Sequence, residues 1–175
     1  MKRHALLLLL AAGILGGCKG SGSSSVGGLD NGNPYNPSGE FTVLGMNILE
    51  GQVWELNRPI RIEFNHPLDP SSISFGSIQI RPLDPQYSGS PVTGTFEVAT
   101  GQDGRILIFR PTCPTNATNS DGAFQPGGVE YEITMPTGKA TNGTLLRDSK
   151  NRPLSKALRR TFITPRPPAE PLFLD

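Results

Sequence analysis

Few residues in this 175-residue sequence have the types and spacing to do chemistry. A nucleophile-and-base arrangement needs a His or Lys beside a Ser or Cys, and beyond the first seventeen residues only His66 is a histidine. It sits among turn residues, where a surface position is expected. No group of His, Cys and carboxylates has zinc-ligand spacing. The run Asn116 to Asp121 invites a calcium reading with Asp121 as the best ligand. With Gly122 as the turn glycine, however, Ala117 and Gly128 fall at the first and twelfth loop positions and supply no carboxylate, so this is not an EF-hand loop. Gly138-Lys139 lacks the upstream glycine and following Ser or Thr of a phosphate loop. No particular pair of carboxylates is singled out. The sequence therefore predicts no catalytic residue, no metal site and no cofactor.

Two features remain. Cys18 follows Ile14-Leu15-Gly16-Gly17, behind a positive start (Lys2, Arg3) and an apolar stretch from Ala5 to Leu15 that is too short to span a bilayer. Residues 1–17 read as a signal peptide. Ile14 to Cys18 resembles the lipobox of bacterial lipoproteins, which implies cleavage before Cys18, a diacylglycerol on its thiol and a palmitate-type lipid anchor in a membrane. The plainer alternative is a cysteine that merely follows the cleavage site. Removing residues 1–17 takes away two bases and no acid, leaving 158 residues with fourteen bases, fifteen acids and a net charge of −1. A near-neutral chain argues against nucleic acid as a partner. Once Cys18 is acylated only Cys113 remains, so no intrachain disulfide is expected, and Cys113 is expected to be a half-buried small residue.

The second feature is charge. From Arg147 to Arg166 seven bases face Asp148 alone. Arg147, Lys150, Arg152, Arg159 and Arg160 are expected at one end of the domain, either as a solvated face paired with Glu130 and Glu132 or as contacts to an anionic surface such as headgroups or acidic envelope polymers.

The elements that must position these residues are strands. Ile60, Ile62 and Phe64 alternate with Arg61 and Glu63, the period of a half-buried strand. Pro67 and Pro70 then force a turn, and Ile73 and Ile78 return to the core. Phe41 to Leu56 holds one or two short strands, with Trp54 packing at the sandwich edge rather than stacking on a sugar. Ile78 and Ile80, then Phe96 and Val98, mark two more. Arg105 to Arg110 is apolar at four successive positions. Glu130 to Met135 alternates with Tyr131, Ile133 and Met135 inward, and Leu158 to Thr164 is the last strand, with Phe162 inward. The segment Phe64-Asn65-His66-Pro67-Leu68-Asp69-Pro70-Ser71-Ser72-Ile73 resembles the signature of the bacterial Ig-like domain of the S-layer type. Asp103 to Pro111 resembles that family's central strand, and Asp148 to Leu154 its loop before the last strand. The resemblance spans roughly residues 41–165 and implies a small surface or envelope module without shared catalytic residues. It also implies that Leu107 and Phe109 face the core while Ile106 and Ile108 face out, covered by another segment or forming a contact surface. Where the family prefers glycine, Asn151 stands, the residue that best tolerates a left-handed turn. Tyr131, following Gln125-Pro126-Gly127-Gly128, is placed to make a tyrosine corner.

The expected architecture is an all-β, Ig-like sandwich of about seven antiparallel strands over residues 40–165. A Gly/Ser-rich tether over 18–39, with an r.m.s. reach of roughly 25 Å, precedes it. A Pro-rich tail over 166–175 follows, either disordered or docking Leu172 to Leu174. Loops 112–128 and 138–156 exceed what the strands need. Lys19, rather than Asp, after the acylated cysteine favours an outer-membrane position in a bacterial envelope. The expected function is a lipid-anchored structural, spacer or protein-interaction module. The alternatives are a carbohydrate or anionic envelope-polymer binder and, further off, a small hydrolase. Its partners would be the membrane through Cys18, and other envelope proteins or glycans.

Overall fold

The computed structural model describes residues 39–101, 103–138 and 144–166. The signal peptide, Cys18, almost all of the tether and all but the first residue of the tail lie outside them. Eight strands form in the order β1 (Val43–Met46), β2 (Gln52–Val53), β3 (Ile60–Phe64), β4 (Gln79–Pro82), β5 (Gly94–Val98), β6 (Ile106–Pro111), β7 (Glu130–Met135) and β8 (Leu158–Ile163). They build two four-stranded sheets, β1-β3-β6-β5 and β2-β8-β7-β4. With the strands lettered in chain order, the N-terminal one split between sheets, these are the A-B-E-D and A′-G-F-C sheets of an Ig-type sandwich. No α-helix occurs among the described residues. All pairings are antiparallel except β2 with β8, which is parallel.

The expected alternation of β3 is present, with Ile60, Ile62 and Phe64 buried and Arg61 and Glu63 half-buried on the outer face. In β6, Leu107 and Phe109 enter the core as expected. Ile106 is buried outside the core cluster, on the face opposite, and Ile108 is half-buried there. Their cross-strand neighbours are Glu63, opposite Ile106, and Arg61 and Glu97, opposite Ile108. Such long side chains lay apolar stems over their neighbours while the charged tips stay wet.

An aromatic seam joins the sheets. Phe109 of β6 meets Phe124 at 6.3 Å between centroids, Phe124 meets Tyr131 at 5.1 Å and Phe162 at 5.2 Å, and Tyr131 stacks on Phe162 at 5.4 Å. Phe124 comes from the long 112–128 loop, which is thus partly core rather than spare length. Tyr131 forms the expected corner: its buried hydroxyl accepts from the Gln125 N–H at 2.8 Å, and burial raises its pKa. Trp54 is fully buried instead of lying at the edge. Its Nε1 donates to the Arg58 carbonyl at 3.0 Å while the Arg58 guanidinium lies 4.1 Å from the ring centroid.

Phe64 is fully buried and stacks on Phe41 at 5.3 Å. Phe64→Ala is expected to cost about 3 to 5 kcal/mol in denaturant unfolding, and Tyr131→Phe, which strands the Gln125 N–H, about 1 to 2 kcal/mol. A Phe64→Ala loss below about 1 kcal/mol, well under the cost of emptying a packed site, would contradict this core.

Candidate functional site

The strands run between two loop-bearing ends, and each end carries some of the residues singled out by sequence. At the first end β3 stops, β6 begins and β8 begins. Here two of the three segments singled out by sequence, 64–73 and 148–154, prove to be one structural unit. Leu68 bridges Asp148 in an antiparallel pair, the Ser149 N–H donates to the Pro67 carbonyl at 2.8 Å, and the Asp69 N–H donates to the Arg147 carbonyl at 3.0 Å. The Ser72 hydroxyl accepts from the Arg147 N–H at 3.0 Å, and the Ser77 hydroxyl donates to the Ser72 carbonyl at 2.7 Å.

Asp148 is the hub. Its side chain is fully buried and accepts from the N–H groups of Lys150 at 3.0 Å and Arg152 at 2.8 Å, and from Arg152 Nε at 2.7 Å. Burial, the largest influence, alone would raise its pKa. The Arg152 guanidinium and the two backbone donors outweigh that and hold it below the ordinary value. Asn151 supplies the expected left-handed turn with φ +62°. Arg152 also donates from Nη1 to the Gly39 carbonyl at 2.7 Å. His66 contacts the same carbonyl through Nε2 at 3.2 Å and is buried, against the expectation of a surface residue, because the incoming N-terminal segment lies over it. Asn65 fixes that segment too, donating to the Glu40 carbonyl and accepting from the Thr42 N–H.

The five predicted bases are thereby placed. Arg147 donates to the Asn151 carbonyl, Lys150 is exposed on the same turn, and Arg152 is bound to Asp148. Arg159 is exposed, but it bonds Glu132 on the outer face of the second sheet. Arg160 lies 3.6 Å from Glu50. Three of the five are therefore paired with a carboxylate. Glu132 was expected to point out, and it does. It is nevertheless buried, clamped between Arg159 and Arg81, whose Nη2 lies 2.8 Å away. Arg159 first, with Arg81 beside it, lowers its pKa against the cost of burial. Only the register, which sets Arg81 directly across from Glu132, reveals this clamp.

At the opposite end the 112–128 loop is tightly self-bonded. Asp121 accepts from the Thr115 hydroxyl and N–H and from the Asn116 N–H, with the Thr115 hydroxyl the largest influence, and its pKa falls to about 2. Both carboxylate oxygens are thus engaged within the loop. Among the described residues no group of three or more His, Cys, Asp or Glu could hold a metal. Asn116 in turn accepts from the Ser120 N–H and the Thr118 hydroxyl. Between this loop, the β2–β3 turn and the end of β8 lies an open cleft of about 810 Å³, lined by Glu55, Asn57, Pro114, Asn119, Pro126 and Arg166 among others. Of these, sequence reasoning had flagged the loop and counted Arg166 in the basic run, while nothing in the types of Glu55 or Asn57 marks them.

Cys113, at the exit of β6, is half-buried as expected. Its thiol is nonetheless engaged in a disulfide, which corrects the expectation that no intrachain disulfide forms. The sequence holds one other cysteine, Cys18, which lies outside the described residues.

No protein-family model matches the chain. No curated protein matches it either. Several solved structures do. Domains 1–6 of the surface layer protein SbsC align at 12% identity over 75% of this chain and 14% of that one, with a TM-score of 0.44. The MG0-NIE-MG1 region of Escherichia coli alpha-2-macroglobulin aligns at 15% identity over 74% and 33%, with a TM-score of 0.46. The LD transpeptidase LdtMt1, in complex with imipenem, aligns at 17% identity over 71% and 39%, with a TM-score of 0.41. All are distant likenesses. This chain spans well under half the length of each, and its Ig-type architecture rests on its own strand order.

Asp148→Asn removes the charge from a buried, paired carboxylate and is expected to cost about 3 kcal/mol in denaturant unfolding. Asp148 and Glu132 both have lowered folded pKa values. Their contribution to stability is thus present above the ordinary carboxylate range of about pH 4 and is lost as pH falls through the lowered values. Unfolding midpoints should be flat from neutrality to about pH 5 and then drop, and the Asp148→Asn chain should show a shallower acid limb. An identical limb in both would remove Asp148 as the hub.

Proposed function

We propose that this chain is a lipid-anchored cell-envelope module that acts without catalysis, as a spacer or protein-interaction domain. The observation that carries the reading is Ile14-Leu15-Gly16-Gly17-Cys18 behind an apolar leader, joined by a Gly/Ser-rich stretch to an Ig-type sandwich. The use of polar side chains supports it. Asp148, Asn65, Ser72, Asp121 and Glu132, the side chains a sequence search would offer for chemistry, are each bonded to hold a loop or a strand face. The outer membrane is the proposed location, on the strength of Lys19.

A second reading follows from the cleft at the far end, where Glu55, Asn57, Asn119 and Arg166 bring a carboxylate, two amides and a guanidinium to one opening. Carbohydrate or envelope-polymer binding would use that opening. Proximity crosslinking in the native cell separates the two. Recurrent capture of one glycan or protein favours binding, and diffuse labelling favours the spacer.

Cys18 is the only other cysteine of the sequence, so the disulfide at Cys113 stands against acylation of Cys18, and the state of Cys113 in the cell reports which of the two holds. The wild-type protein is expected to fractionate with membranes and to carry the mass of a diacylglycerol, and Cys18→Ser is expected to move it to the soluble fraction. A wild-type chain that carries no lipid mass and reveals two alkylatable thiols only after reduction would sink the anchor.

A further inference from the structure

Each sheet of the sandwich has two edge strands, and an edge strand leaves a row of backbone N–H and C=O groups without a ladder partner. Three of the four edges are interrupted. β2 is two residues long, the ladder of β1 with β3 is broken by a bulge between Val43 and Gly45, and β4 ends in Pro82. The Leu83 N–H donates to the Glu130 carbonyl, so alternation along β4 turns Ile80 and Pro82 toward its open edge, where Pro82 has no hydrogen to donate. β5 has none of these devices. It runs Gly94-Thr95-Phe96-Glu97-Val98 in unbroken register with β6 and contains no proline.

The bonds on either side of that ladder join the Thr112 N–H to the Thr93 carbonyl and the Ala99 N–H to the Ile106 carbonyl, so the odd-numbered residues of β5 spend their backbone groups on β6. Gly94, Phe96 and Val98 therefore turn theirs outward, and among the described residues nothing bonds them. Beside this edge lies an open groove of about 470 Å³ lined by Pro70, Ile73, Phe75, Phe96 and Val98. Phe75 is 41% exposed there and lies against Phe96, with ring centroids 5.0 Å apart.

We infer that β5 is a docking edge whose occupant is β5 of a second copy of this chain, paired antiparallel about a two-fold axis at Phe96. The strand is its own complement in that register. Phe96 exchanges both bonds with its symmetry mate, Gly94 and Val98 exchange theirs across the axis, and every outward backbone group is used. On the outer face exposed Thr95 stands opposite Glu97 of the other copy, while Glu97 keeps Arg110 of its own copy at 2.6 Å. Sliding one strand by two residues sets Glu97 against Glu97 in one direction and leaves Val98 unpaired in the other. On the inner face the two Phe96 rings meet, joining the aromatic rows that run from Phe75 through Phe96 to Phe109 in each copy. Pairing through one short edge lies at the small end of specific interfaces, so the dissociation constant is expected between micromolar and sub-millimolar. Nothing in this pairing involves Cys18, and it stands apart from the lipid anchor.

The test uses the chain from residue 18 with Cys18→Ser, kept in reductant so that Cys113 cannot join copies covalently, with circular dichroism confirming the fold. Sedimentation from micromolar to millimolar concentration should show the mass rising reversibly toward that of a dimer. Amide hydrogen exchange locates the contact. Raising the concentration should slow exchange at Phe96 and Val98 and leave Thr95 and Glu97, already bonded to β6, little changed. Thr95→Glu, which sets carboxylates opposite one another twice per dimer, should weaken association by roughly fivefold, and Thr95→Lys, which sets opposite charges there, should not weaken it. A monomer at every concentration, a dimer whose exchange slows elsewhere than at β5, or equal loss from the two substitutions would each overturn the proposal.

Discussion

One buried carboxylate organises this molecule. Asp148 has no solvent to hydrate it, so its charge is tolerated only because Arg152 and two backbone N–H groups surround it. That requirement fixes the 146–154 turn, and the turn in turn holds other segments. Its bridge to Leu68 and its bonds to Pro67 and Asp69 fix how the chain leaves β3. Its Arg152 also captures Gly39. Segments separated by over a hundred residues are thus tied to one ionised group, as a single charge at the rim of an apolar core can do when every lone pair is used.

The far end is held by other means. Phe124 leaves the long loop to fill the space between Phe109 and the Tyr131–Phe162 stack, so the loop is anchored by burial. The corner hydroxyl of Tyr131 then sets the backbone at Gln125, and Asp121 closes the outer part of the loop on itself. The Pro-lined cleft is a product of that rigidity. Its walls are pieces of backbone already fixed by the core, which gives its polar side chains a defined frame.

Much of this was legible in sequence because period-2 alternation is a local signal. The spans of β3 and β7, the inward set from Ile62 to Phe162, the Tyr131 corner and the left-handed Asn151 all follow from residue type and spacing. What failed did so for non-local reasons. His66 is buried by a segment twenty-seven residues away, and Glu132 is buried because two arginines from other strands close over an outward position. The basic run from Arg147 onward looked like one patch on the line of the chain. The register sends Arg159 and Arg160 to acids on neighbouring elements, leaving a smaller turn-borne group.

The split N-terminal strand has a mechanical consequence. β1 belongs to the first sheet, while β2 crosses to lie parallel to β8, with the Gly51 N–H bonded to Thr161 and the Trp54 N–H to Ile163. Gly39 and Arg166 stand at opposite ends of the sandwich. Tension applied between them pulls β2 and β8 in opposite directions along their common axis. The bonds joining them are then loaded in shear, all together, instead of being peeled one by one. A module built this way resists stretching best along the line joining its two chain exits.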